Sequence, residues 1–169
     1  MYGAYYSNLY KLQDEVLRHV GELGTPFYLT GGTALSRFFL HHRYSDDLDL
    51  FVNWHPEFEK HADRVRRKLH EVYGDHFKMQ IDQPDFKRMI LIREQQQMEL
   101  KIELINDVPY HAGELWGNEV YDKIDSWINI LTNKICALSR NEEKDLVDLL
   151  FLAYQNEFNW MEVIDEARK

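Results

Sequence analysis

Apolar side chains in the first third of the chain recur first at helical and then at strand spacing. Residues 4–23 predict an amphipathic helix, which ends at a Gly-Thr-Pro turn over residues 24–26. A short buried strand over residues 27–29 is expected next, followed by a helix over residues 33–42 and a strand over residues 47–52. The apolar positions of the first helix are Tyr5, Leu9, Leu12, Val16 and Val20.

The middle of the chain predicts one more helix and then three strands. The helix starts after Pro56 and ends at Gly74, with an apolar stripe of Phe58, Ala62, Val65, Leu69 and Val72. Strands are predicted over residues 76–81, 88–93 and 98–105, with polar turns between them, so an antiparallel meander is expected. Residues 106–123 are irregular, and a loop over the site is one interpretation of this segment, in which no residue indicates a function.

Three further helices are predicted from residue 125 onward. Asn141 is expected to cap the second, and Asn159 with Glu162 resembles a capping box at the start of the third. The apolar positions are Trp127, Ile130, Leu131, Ile135 and Leu138 in the first helix, and Leu146, Leu149, Leu150 and Ala153 in the second.

Composition excludes several classes of protein. No stretch of the 169 residues approaches the length of a membrane span, and no secretory signal precedes the first helix, so we expect a cytoplasmic protein without membrane contact. Cys136, the single cysteine, is predicted to be a small core residue, and the eight histidines show no zinc-binding spacing.

The net charge of −9 disfavours broad, non-specific binding to nucleic acid. One local basic face is nevertheless expected on the helix that follows Pro56. It is either a track for an RNA acceptor or a solvated helix face, and solvated faces are the commoner case. Its members are Lys60, Arg64, Arg67 and Lys68.

Candidate chemistry is concentrated in residues 27–52. Gly31 and Gly32 follow the first strand and permit close approach of a phosphate, and the next helix would direct its free N–H groups at an anion. Alternation along residues 47–52 places Asp47 and Asp49 on one face. Adjacent carboxylates repel each other unless a cation neutralises them, and all-oxygen ligation suits Mg²⁺ or Mn²⁺.

A second charged face is predicted on the strand over residues 98–105. Glu99, Lys101 and Glu103 alternate there with apolar residues. Because Glu and Lys have modest strand propensity, this face belongs either to solvent or to a site.

The ordered combination Gly31-Gly32-Thr33-Ala34-Leu35 and Arg43-x-Ser45-x-Asp47-Leu48-Asp49-Leu50 resembles the DNA polymerase β nucleotidyltransferase superfamily, and within it the AbiEii/AbiGii toxin-like group. The resemblance implies an α+β fold, with a mixed, mostly antiparallel sheet flanked by helices. It divides the chain into a nucleotidyltransferase-like core over residues 1–124 and a helical region over residues 125–169.

The activity implied by the resemblance is metal-dependent transfer of an NMP from an NTP to a hydroxyl of RNA, such as tRNA, or of protein. The protein would be a toxin of a toxin–antitoxin or phage-abortive-infection system, with a cognate antitoxin as partner. Two alternatives stay open: a binding module that has lost turnover, and a structural domain with fortuitous aspartates.

Site roles follow from the same resemblance. Asp47, Asp49 and Glu103 would ligate Mg²⁺ or Mn²⁺, with Glu99 as the alternative third carboxylate. The nucleotide phosphates would be held by Gly31, Gly32, Thr33, Arg43 and Ser45, although Arg43 would alternatively support the strand that bears the aspartates. The remaining catalytic candidates either act on the nucleotide and acceptor or form an inter-helix salt bridge; they are Lys134, Asp145 and Asp148.

Overall fold

The protein folds around a five-stranded sheet, as a computed structural model of residues 2–168 shows. The strands, in the spatial order β1-β2-β5-β4-β3, are β1 (Tyr28–Thr30), β2 (Leu48–Asn53), β5 (Met98–Asp107), β4 (Phe86–Arg93) and β3 (Phe77–Gln83). The helices are α1 (Tyr2–Glu22), α2 (Gly31–Leu35), α3 (Phe58–Tyr73), α4 (Trp127–Ala137), α5 (Glu143–Gln155) and α6 (Trp160–Glu166). A π-helical turn, Ser36–Leu40, continues α2. Within residues 2–168, no helix combines the length and apolarity needed to cross a membrane.

The sheet is mixed and mostly antiparallel, which confirms the expected α+β fold class. β1 pairs with β2, β5 with β4, and β4 with β3, all antiparallel. The predicted meander is therefore present in β3, β4 and β5. The β2–β5 pair is parallel, which places the start of β2 beside the middle of β5.

The two faces of the sheet have different environments. One face carries buried apolar side chains of β2 and β5, and α1 and α3 cover it. The other face, here called the open face, carries Asp49 and Glu103 and borders a cavity that α4 also lines. Period-2 alternation along β2 and β5 produces this division. The buried residues of the covered face are Leu48, Leu50, Val52, Leu100, Ile102 and Leu104.

Packing of α3 and α4 differs in detail from the predicted stripes. Tyr73 is buried where Val72 was expected, because a spacing of four from Leu69 carries the stripe to the next position, and Val72 is 42% exposed. Leu138 is likewise exposed. Cys136 is exposed and lies at the cavity, where its thiol donates to the carbonyl of Ala167 (3.1 Å), so the prediction of a core cysteine is wrong.

The orientation of α5 is the largest departure from the predicted packing. Leu146 and Leu150 are 52% and 70% exposed, and Ala153 is also exposed. The helix instead buries Asp145 and Asp148 beside Leu149 and Leu152, because these aspartates pair with cations on neighbouring elements. Asn141 does not cap the helix: it adopts a left-handed conformation (φ 56°), and Glu142 occupies the N-cap position.

Candidate active site

The three carboxylates predicted to bind metal all line one cavity of about 680 Å³ near the start of β2. Asp49 on β2 lies directly opposite Glu103 on β5, and opposed residues of paired strands project to the same face. Asp47 lies one residue before β2 rather than within it, but it lines the same cavity. Glu99 is exposed, lies four residues before Glu103 on β5, and does not line the cavity.

Gly31 and Gly32 allow side chains of the site to approach the backbone closely. Gly31 has a φ of 68°, and a Cβ there would overlap the carboxylate of Asp49. At Gly32, a Cβ would lie 2.6 Å from the guanidinium of Arg43. The helix begins at Gly31 itself, two residues earlier than predicted, so both glycines belong to its first turn.

Thr33 and Ser45 fix the segment that leads into β2. The Thr33 hydroxyl lies 2.8 Å from the Ser45 hydroxyl and donates to the backbone carbonyl of Asp47. Thr33 is fully buried and does not line the cavity, so the expectation that it holds phosphate does not agree with its position. Ser45 does reach the cavity, and its backbone carbonyl accepts a hydrogen bond from Gln13 on α1.

Cations of the sheet already neutralise two of the three carboxylates. The ammonium of Lys101 lies 2.9 Å from Asp47 and 3.5 Å from Glu103, and Arg88 Nε donates to Glu103 at 2.7 Å. Among residues 2–168, no cationic side chain forms an ion pair with Asp49. Burial, together with the negative charges of Glu103 and Asp47, raises the pKa of Asp49 to about 6.

The chemistry of this donor set fits a divalent cation. The carboxylate oxygens supply the hard ligands that Mg²⁺ and Mn²⁺ prefer, and their mutual repulsion favours a bound positive charge. Lys101 supplies such a charge between Asp47 and Glu103. As positioned in the part of the chain that the structure describes, no three His, Cys, Asp or Glu side chains form a ready metal-binding group. Asp47, Asp49 and Glu103 would hold such an ion in place of the Lys101 ammonium.

Asp148 is the centre of a buried ion-pair cluster beside these carboxylates. It accepts two hydrogen bonds from Arg43, at 2.7 and 2.8 Å, and lies 2.8 Å from Lys134. Burial alone would raise the pKa of Asp148, but the hydrogen bond from Arg43 and the charge of Lys134 outweigh it and lower the pKa to about 2. His42 Nε2 is a third partner, 2.7 Å away.

Lys134 links this cluster to the carboxylates. It lies 2.5 Å from Asp145, and its charge acts to lower the pKa of Asp49. The predicted residues Arg43, Lys134 and Asp145 all line the cavity, whereas Asp148 lies behind them. The inter-helix salt bridge, the structural alternative to a catalytic role for these residues, is therefore present, and it holds a cationic side chain at the edge of the cavity.

Another buried carboxylate, Asp125, connects the irregular segment to the sheet. It accepts hydrogen bonds from Thr30 and from Asn129 (3.0 Å), and His111 Nε2 lies 2.9 Å from it. His111 Nδ1 faces the carbonyl of Gly113, so both ring nitrogens face acceptors and favour the imidazolium form. Of residues 106–123, Asp107 and Val108 line the cavity, and the segment ends beside β1, where the carbonyl of Lys123 accepts a hydrogen bond from the backbone N–H of Leu29 (2.9 Å).

The predicted basic face lies away from the cavity. Its four cations are on α3, against the covered face of the sheet, and none of them lines the cavity. Each has a partner: Lys60 pairs with Glu57, Arg67 with Asp63 and Lys68 with Glu22, and Arg64 donates to the carbonyl of Leu23. The geometry therefore agrees with a solvated helix face.

Three side chains that pair with the predicted carboxylates had been given no role from the sequence: Lys101, Arg88 and His42. The alternation that placed Glu103 on the charged face also places Lys101 there, so that signal was present in the sequence. Arg88 required knowledge of the β4–β5 register, which pairs it with Glu103. The contact between His42 and Asp148 spans 106 positions of sequence, and no local pattern indicates it.

An open-faced mixed sheet, with the opposed carboxylates of β2 and β5 beside a Gly-Gly turn, is the arrangement expected for the nucleotidyltransferase class. Comparison with known families agrees: the model for the nucleotidyl transferase AbiEii toxin of type IV toxin–antitoxin systems matches residues 15–169. The chain belongs to this family, which confirms the resemblance found in the sequence. No curated protein is significantly similar to the chain in sequence.

Solved structures share the fold. JHP933 from Helicobacter pylori superposes with a TM-score of 0.69 at 25% identity, covering 95% of this chain and 72% of its own. MenT4, a nucleotidyltransferase toxin from Mycobacterium tuberculosis, superposes with a TM-score of 0.61 at 17% identity, covering 90% of this chain and 60% of its own. The second similarity shows the fold alone.

Proposed function

We propose that the protein transfers a nucleoside monophosphate from an NTP to an acceptor hydroxyl, with release of pyrophosphate. The observation that carries this proposal is the convergence of Asp47, Asp49 and Glu103 on one cavity next to the Gly31-Gly32 turn. Membership of a nucleotidyltransferase toxin family supports it. The acceptor would be an RNA, such as a tRNA, or a protein, and a cognate antitoxin would counteract the activity.

Asp47, Asp49 and Glu103 would hold Mg²⁺ or Mn²⁺. When bound, such ions neutralise phosphate charge and increase the acidity of an attacking hydroxyl. Asp49 is suited to ligation because burial and its carboxylate neighbours disfavour its ionised form without a cation. Release of Lys101 from Asp47 and Glu103 would leave an ammonium free to contact a phosphate.

The residues of the chain would mainly position the reactants. Backbone N–H groups at Gly31 and Gly32 begin a helical segment, and they lie beside the guanidinium of Arg43. Asp148 fixes that guanidinium with two hydrogen bonds and so reduces its freedom before any ligand binds. Lys134 adds a second fixed cation at the cavity edge. The triphosphate would lie between these groups and Asp49.

Glu103 would act on the acceptor side. Its strand lies on the side of β2 opposite to β1, away from the glycine turn, so a hydroxyl that hydrogen-bonds to Glu103 would approach the α-phosphate from across the site. Arg88 holds the Glu103 side chain in place at 2.7 Å. This arrangement separates the two substrates on neighbouring strands.

A second candidate function is a nucleotide-binding or partner-binding module without turnover. The specific observation in its favour is that Lys101 and Arg88 already neutralise Asp47 and Glu103. In a module of this kind, NTP would bind without consumption. Incubation of the purified protein with each NTP, Mg²⁺ or Mn²⁺ and an acceptor pool separates the two candidates, because only the transferase releases pyrophosphate.

A further inference from the structure

A row of apolar side chains crosses the open face of the sheet beside the carboxylates. Tyr28 lies opposite Phe51, Phe51 opposite Ile105, and Ile105 opposite Phe86, so all four project to one face. We call these residues the aromatic row. Asp49, Glu103 and Arg88 lie two residues away from members of the row on the same strands. Because a strand rises by about 3.3 Å per residue, the row lies about 7 Å from the carboxylates.

Three of the four members are accessible to a ligand. Tyr28 is 3% exposed and donates a hydrogen bond to Asn53, so it forms the closed end of the row. Phe51 and Ile105 line the cavity, and Phe86 follows on β4 as a half-buried side chain. Three adjacent strands span about 10 Å, enough for one or two planar rings. An apolar strip beside a charged site indicates a ligand with a flat apolar face.

Cationic groups accompany the row on the acceptor side. The Arg88 guanidinium lies 5.3 Å from the centre of the Phe86 ring and also holds Glu103. Lys101 lies on the same face of β5. Aromatic faces interleaved with cations are the arrangement by which proteins bind single-stranded nucleic acid, because every base presents a π-face and every linkage a phosphate.

We propose that the aromatic row binds the end of a single-stranded nucleic acid acceptor, with terminal bases stacked on Phe51 and Phe86 and the terminal hydroxyl at Glu103. This inference rests on the proposed nucleotidyl transfer and names its acceptor. The accessible part of the row extends from Phe51 through Ile105, on the strand of Glu103, to Phe86 on β4, and so runs away from Gly31 and Gly32; this direction assigns it to the acceptor instead of the NTP. The aromatic row also replaces the basic face of α3, whose cations already have partners, as the proposed acceptor surface.

Direct binding tests the proposal without requiring turnover. A 5′-fluorescein-labelled single-stranded RNA decamer is titrated with protein in the absence of NTP and metal, and its anisotropy is followed. Phe51→Leu and Phe86→Leu keep apolar volume but remove the flat ring, so each should weaken binding by about fivefold or more. The matched control is Tyr154→Leu on α5, because Tyr154 is 89% exposed and does not line the cavity; this variant should bind RNA like the wild type.

A variant that is expected to bind RNA more tightly distinguishes loss of the binding surface from loss of the fold. Ile105→Phe adds a ring between Phe51 and Phe86, and we expect tighter RNA binding than in the wild type. Wild-type protein that does not bind the decamer, ring-removed variants that bind it like the wild type, or an Ile105→Phe variant that binds no tighter would each contradict the proposal.

The two proposals fail in different ways. Pyrophosphate release with a protein acceptor pool, combined with no RNA binding, would overturn the aromatic row as an acceptor site and leave nucleotidyl transfer standing. RNA binding that depends on Phe51 and Phe86, without pyrophosphate release from any NTP, would support the row and overturn the transfer reaction.

Discussion

Asp49 lies directly opposite Glu103 across the parallel pairing of β2 and β5, and the negative charge of Glu103 helps to raise the pKa of Asp49. The two carboxylates come from strands that are far apart in sequence, and the parallel register brings them to one cavity. This pairing favours Glu103 over Glu99 as the third carboxylate, since Glu99 lies four residues earlier on β5.

The role of Glu103 is tested by comparison with Glu99. Glu103→Gln should reduce the rate of pyrophosphate release by at least about 100-fold and leave NTP affinity within about tenfold, because the lost interaction acts chiefly in the transition state. Glu99→Gln is the matched control on the same strand and should retain turnover. Steady-state kinetics with each variant supply the measurement, and the reverse pattern would assign the role to Glu99.

Metal and nucleotide should stabilise the folded protein together. At about 100 times its dissociation constant, a ligand that binds the native state alone adds about 2.7 kcal/mol, which corresponds to a rise in Tm of about 5 to 10 °C. Differential scanning fluorimetry with Mg²⁺ or Mn²⁺ plus NTP measures this rise. The double variant Asp47→Asn, Asp49→Asn should show no metal-dependent rise. A wild-type melting curve that saturating metal and nucleotide leave unchanged would exclude the proposed site.

Asp148 should make stability sensitive to acid. Its pKa is lowered from 3.8 to about 2, so its stabilisation is complete above about pH 4 and is lost as the pH falls through about 2. Asp148→Asn should lower the free energy of unfolding at pH 7 by about 3 kcal/mol, because Arg43 and Lys134 lose a charged partner. Urea unfolding of both proteins between pH 7 and pH 2.5 should show the difference shrinking at the acid end. A difference that is constant with pH would contradict the assignment.

His111 should give a pH dependence in the opposite direction. Its hydrogen bond with Asp125 raises its pKa above 6.5, so the ion pair stabilises the protein fully below that pH and is lost as the pH rises through the raised pKa. His111→Phe keeps a ring against Tyr28 but cannot carry a proton. The free energy of unfolding of His111→Phe should lie below that of the wild type, and this difference should be largest near pH 6 and should decline towards pH 9. His76→Asn, at an exposed position, is the control and should show no such trend.

Local sequence patterns predicted the helices, the strands and the strand faces that carry Asp49 and Glu103, because each pattern lies within a few neighbouring residues. Alternation along β2 and β5 marks one face of each strand as polar, so Asp49 and Glu103 were visible in the sequence. The resemblance to the family rests on residues 31–35 and 43–50, which lie close together in sequence.

Contacts between distant segments were not predictable in this way. The apolar stripe of α5 predicted that Leu146 and Leu150 pack against the protein. Instead, the face that carries Asp148 packs inward, because Asp148 pairs with Arg43 and Lys134. A hydrophobic pattern shows which residues are apolar. It does not show which charged side chains form ion pairs with residues more than 100 positions away. Similarly, the cations on Asp47 and Glu103 became identifiable once the strand registers were known.

The most direct test of nucleotidyl transfer follows the α-phosphate itself. Purified protein is incubated with each α-³²P-labelled NTP, Mg²⁺ or Mn²⁺, and either total RNA or total protein as acceptor, beside an Asp49→Asn variant that retains its fold by circular dichroism. We predict metal-dependent incorporation of label into one acceptor pool, with equimolar pyrophosphate release and at least about 100-fold less of both in Asp49→Asn. Label and pyrophosphate at the level of the Asp49→Asn variant, with all four NTPs and both acceptor pools, would contradict the proposed activity.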